Sequence, residues 1–250
     1  MQAAWGLCDC YVLCKTGETL EERSERFRDL TLTDRLAMAR AQQQLPARTV
    51  FSRAMAPLAV IAITVVTFAF MQRLGQWEGH LAVLSQYLWT HGAFDPFTLR
   101  HPNDWRWPQT VTMFVSHGVL HINLLHLVSN MVPLAVLGWI AARRLGGARF
   151  IALYLTCMVS AAFVYGLWQG GLGTMVGASG AVHGIWGAVI AWSVFDRRWA
   201  WAAFWAAAAL VLNAWFWHLT DGAFAWRLHI AGAAIGAFAA PFLATKKADP

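Results

Sequence analysis

Six apolar stretches, roughly 54–72, 118–142, 150–169, 175–195, 199–217 and 228–245, dominate this chain. Each is close to the ~20 residues that an α-helix needs to cross a bilayer. In hydrocarbon every backbone N–H and C=O must be satisfied within the protein, and apolar stretches of this length do so as helices. The expected fold class is therefore an all-α polytopic membrane protein, a bundle of six transmembrane helices. Composition agrees: 58% of the 250 residues are hydrophobic and 13% charged, about half the charged share of an ordinary soluble domain.

The charges also set the expected organisation. Arg53 precedes the first stretch; Arg143, Arg144 and Arg149 lie between the second and third; Arg197 and Arg198 lie between the fourth and fifth; Lys246 and Lys247 follow the sixth. With six spans, all of these fall on one side, and cationic loops favour the cytoplasm. The expectation is a cytoplasmic N-terminal segment over 1–53, a membrane domain over 54–245 with a long outer loop at 73–117, and a cytoplasmic tail over 246–250. Both termini would then face the cytoplasm, with the first helix itself directing insertion. The basic residues flank apolar runs instead of forming a stripe, so nucleic acid is not an expected partner despite a pI near 9.5. Cys8, Cys10 and Cys14 fall on the cytoplasmic side, where a disulfide framework is not expected, and their spacing fits no common zinc pattern.

Polar side chains inside the stretches point to function, because they are costly there. The inventory is His121, Asn123, His126, Asn130, Ser179, His183 and His229, with His117 at a helix mouth. No Asp or Glu lies between Asp104 and Asp196, and no Lys between Lys15 and Lys246. That removes paired intramembrane aspartates, a His-Glu-x-x-His zinc site and a Ser-Lys dyad. Serine with histidine as a neutral base remains. Seventeen residues separate His126 from Arg143, Ser179 from Asp196 and His229 from Lys246. At about 1.5 Å per residue, the three groups share a level roughly 25 Å above the inner boundary. Gly180 and Gly184 beside Ser179, and Gly232 and Gly236 after His229, form small-xxx-small patterns that let helix backbones approach closely.

These residues resemble the rhomboid family of intramembrane serine proteases. Gly177-Ala178-Ser179-Gly180 resembles the family's serine motif, and His229-Ile230-Ala231-Gly232, continuing to Gly236, its histidine motif. His121, His126 and Asn130 match the spacing of its second-helix motif, and the likeness covers about 54–245. The resemblance implies that Ser179 attacks the scissile carbonyl and His229 takes its proton. It further implies that His126 and Asn130 hold the oxyanion with the Ser179 N–H. Substrates would be single-span membrane proteins cut near their outer end at small residues, in the bilayer, with no cofactor or metal. The setting implied is a bacterial inner membrane. Two positions depart from the family pattern. Trp105-Arg106, the nearest match to an outer-loop Trp-Arg pair, lies several residues upstream of the usual place. His183 stands where a Tyr or Phe often packs on the catalytic histidine. Three alternatives stay open on the residues alone. One is an inactive rhomboid-like protein that binds transmembrane helices. Another is a membrane haem or metal protein using the histidines, and the last is a histidine-relay transporter.

Overall fold

Ten segments of regular helix follow one another in the computed structural model, which describes residues 31, 47–76, 78–101, 107–168, 173–220 and 225–243. They are α1 (Ala47–Leu74), α2 (His80–Gly92), α3 (Pro96–Arg100), α4 (Trp107–Ser116), a 3-10 turn at His117–Val119, α5 (Leu124–Leu145), α6 (Gly147–Trp168), α7 (Ser179–Phe195), α8 (Trp199–Leu219) and α9 (Trp226–Leu243). Segments of α1, α5, α6, α8 and α9 are long and apolar enough to cross a membrane. The shorter α7, with 17 residues, is the sixth apolar helix. The chain is an integral multi-pass membrane protein with the helical bundle expected from its hydropathy. The cysteine trio, Trp105-Arg106 and the tail lie outside the described residues.

Two boundaries beside the candidate site differ from the sequence reading. The second spanning helix begins at Leu124, not near 118. Asn123 takes an extended conformation, and its side-chain oxygen accepts from the His126 N–H at 2.8 Å. That is a capping geometry, which satisfies a donor that the helix leaves open. His121 and Asn123 therefore sit before the helix instead of inside it. The fourth stretch begins at Ser179, not 175, because Met175 is extended and paired elsewhere.

The outer segment, read as a loop over 73–117, contains α2, α3 and α4. Asp95 opens α3 by accepting from the Phe97 N–H at 2.9 Å and the Thr98 hydroxyl at 2.7 Å. Arg100 then donates to the carbonyls of Gly166 and Leu167 at 3.0 and 2.8 Å. Those carbonyls lie in the last turn of α6, where a cation also complements the helix dipole. Phe94 is fully buried and packs edge-on against Phe114, His117 and Tyr165.

α7 is the hub. Leu134, Leu137 and Ala141 of α5, Phe150, Leu153 and Cys157 of α6, and Ala181, Ile185 and Ala188 of α7 form one buried cluster. The Trp192 indole N–H donates to the Ala240 carbonyl of α9 at 2.9 Å, and that of Trp186 to the Trp205 carbonyl of α8 at 2.8 Å. At the far end of α7, Arg144 binds Asp196 through both of its terminal nitrogens, at 2.5 and 3.1 Å. α8 is different: of its side chains only Ala202 is buried.

Candidate active site

Glycines decide how close the site helices come. A methyl group built on Gly232 would overlap the Gly180 carbonyl oxygen, one on Gly236 that of Gly184, and one on Gly187 that of Ala233. α7 and α9 thus meet backbone to backbone over two turns, as their small-xxx-small patterns suggest. Ser179 is the first residue of α7, His229 the fourth of α9 and His126 the third of α5. All three stand in the first turns of their helices, and all three line one cleft of about 1240 Å³ together with Asn130, His183 and Asn213. Ser179 and His229 are both buried to 6% exposure.

The segment leading into Ser179 is held from outside. Phe94 and Met175 exchange both main-chain hydrogen bonds, each at 2.9 Å, and the Gly177 N–H donates to the His117 carbonyl at 2.8 Å. Burial lowers the pKa of His117 to about 4, so the ring is neutral at ordinary pH. Its Nδ1–H then donates to the Met113 carbonyl at 2.7 Å. Gly177 has a φ of +118°, and a Cβ there would lie 2.7 Å from Cε1 and Nε2 of His126. Only glycine meets both conditions, and the His126 ring is consequently laid against the turn two residues before Ser179.

Asn130 is buried, and its amide donates to the His126 carbonyl at 2.8 Å. His121 is also buried, with its ring centroid 5.0 Å from that of His126, but it does not line the cleft. His183 stacks on His229 with centroids 3.9 Å apart and planes 5° from parallel. No group of three or more His, Cys, Asp or Glu side chains among them converges as metal ligands would.

One site residue escaped the sequence reading. Asn213 of α8 reaches both imidazoles: its Oδ1 is 2.8 Å from His229 Nδ1 and its Nδ2 3.0 Å from His183 Nε2. The signal was present, since an amide in the middle of an otherwise apolar helix is as costly as the histidines that drew attention.

A helical membrane bundle with a hydroxyl and stacked imidazoles lining a cleft at the first turns of its helices defines a class of multi-pass membrane protein. The Rhomboid domain model matches residues 108–246, more than half of the chain, and the chain belongs to the rhomboid family. It is also similar to the rhomboid protease GlpG of Photorhabdus laumondii subsp. laumondii, at 26% identity over 140 residues. That alignment covers 56% of this chain and 42% of the relative, so the chain spans less than half of the relative's length.

Proposed function

We propose that the protein is an intramembrane serine endopeptidase in which Ser179 is the nucleophile and His229 the general base. The observation that carries this reading is the glycine-mediated contact of α7 with α9, which brings the first turns of the two helices to one cleft. The Ser179 oxygen attacks the scissile carbonyl and its proton passes to His229. The carbonyl oxygen becomes an anion in the tetrahedral intermediate. The Ser179 N–H, open at the start of α7, supports that charge together with the helix dipole. His126, laid against Gly177, and Asn130, with the amide proton not given to the His126 carbonyl, complete the set of donors. The protonated His229 then gives its proton to the leaving amine, and water entering through the cleft hydrolyses the acyl-enzyme.

The substrates under this reading are single-span membrane proteins presented from the bilayer, cut near their outer ends. The orientation is the one in which the Arg143, Arg144, Arg197 and Arg198 loops face the cytoplasm of a bacterial inner membrane. The test is purified protein in detergent with a model transmembrane substrate and a fluorophosphonate label. Wild type should cleave and label, while Ser179→Ala should do neither at unchanged thermal stability. Wild-type cleavage by Ser179→Ala would refute the mechanism, and an inert wild type would favour a helix-binding role.

A further inference from the structure

An asparagine inside a membrane helix has two N–H bonds and a carbonyl oxygen to satisfy. Asn213 satisfies them with specific partners. Its Nδ2 donates to the Ala209 carbonyl at 2.8 Å and faces His183 Nε2 at 3.0 Å, and its Oδ1 faces His229 Nδ1 at 2.8 Å. His183 Nδ1 lies 2.8 Å from the Ser179 carbonyl oxygen.

The proton positions follow in order. A carbonyl oxygen only accepts, so His183 Nδ1 carries a hydrogen and donates to Ser179. In a neutral imidazole the other nitrogen is then an acceptor, so His183 Nε2 can face only the NH2 end of Asn213. The Ala209 carbonyl demands the same orientation independently. The Asn213 oxygen is thereby turned to His229, whose Nδ1 must carry the hydrogen. The lone pair of His229 is left on Nε2, the arrangement in which an imidazole serves as base to a serine.

We propose that Asn213 is the positioning residue of this site. It locks His229 in the Nδ1–H tautomer, and it is itself locked by His183 and Ala209. The proposal rests on the reading of Ser179 and His229 as nucleophile and base. The bundle has no intramembrane acid for this duty, so a neutral amide takes the place that a carboxylate fills in an acidic triad. His183 has two functions in consequence: its face stacks on His229, and its edge sets the direction of the amide.

Asn213→Leu keeps the volume and removes the acceptor. kcat should fall about 10- to 100-fold, the scale of losing one orienting contact, with KM and thermal stability near wild type. Asn213→Asp in its neutral form restores an acceptor and a donor, and should recover activity to within about tenfold of wild type. A general packing role would change stability or KM and would not be rescued by Asp. Nitrogen-15 NMR of histidine-labelled wild type, with His229 assigned by difference from His229→Gln, should show His229 protonated on Nδ1. A folded Asn213→Leu protein with wild-type kcat, or a wild-type His229 protonated on Nε2 alone, would overturn the proposal. The NMR result decides even where Asn213→Leu does not fold. A wild type that neither labels nor cleaves would instead strike the Ser179 reading, which separates the two failures.

Discussion

Gly236→Ala tests whether the α7–α9 contact sets the chemistry. The added methyl would overlap the Gly184 carbonyl oxygen, which is helix backbone and has no rotamer to move. Carbon and carbonyl oxygen settle at roughly 3.3 Å or more, so the two helices must part by on the order of 1 Å. Overpacking of this kind typically costs about 1–3 kcal/mol. The larger effect is geometric. Ser179 stands in the first turn of α7 and His229 in the first turn of α9, so the parting enters the separation of the proposed nucleophile and base directly. A misplacement of about 1 Å can lower turnover about 100-fold. The assay is cleavage of a transmembrane substrate in detergent beside a thermal melt, with Gly75→Ala as control, where a methyl meets nothing closer than 3.5 Å. Gly236→Ala should lower both readouts and Gly75→Ala neither. Wild-type turnover and melting in Gly236→Ala would refute the claim that close backbones place the proposed catalytic pair.

His183→Phe, which keeps a ring on His229 and loses the edge contacts, should retain substantial cleavage, while His229→Ala should have none; the reverse pattern would make His183 the base. Asn130→Ala should lower kcat by about 100-fold without abolishing it, the usual scale for one oxyanion donor; an unchanged rate at normal stability would make Asn130 purely structural. Gly177→Ala should impair both folding yield and activity, because the methyl meets the His126 ring at 2.7 Å on a backbone with a φ of +118°; a melt and rate equal to wild type would contradict the role assigned to that turn.

The membrane helices were legible because length and hydropathy alone force them, and the glycines beside Ser179 and His229 announced the closest pair. The outer segment was not legible. Its shape depends on Phe94 exchanging main-chain bonds with Met175 and on Arg100 reaching the end of α6, contacts about 66–81 residues apart that leave no local periodicity. The start of α5 was misplaced by six residues because apolar Val119 and Leu120 extend the hydrophobic run past its true cap at Asn123. The stack of His183 on His229 follows from the i,i+4 placement of His183 on the face of Ser179. Asn213 is a different case. It comes from the fifth apolar stretch, and nothing in its neighbourhood links it to either histidine until α8 is docked.

The length of α7 carries a further consequence. Seventeen residues rise about 25 Å, several ångströms short of a hydrocarbon core about 30 Å thick. Charged side chains favour the headgroup level; with the Arg144–Asp196 pair set there, the whole shortfall would fall at the Ser179 end. Lipid acyl length would then set how much hydrocarbon stands between Ser179 and bulk water. A thinner bilayer brings the solvent boundary down towards the first turn of α7, and a thicker one has to deform locally, at fractions of a kcal/mol per ångström. On that placement, hydration of the candidate site would be a property shared by the protein and the lipids around it.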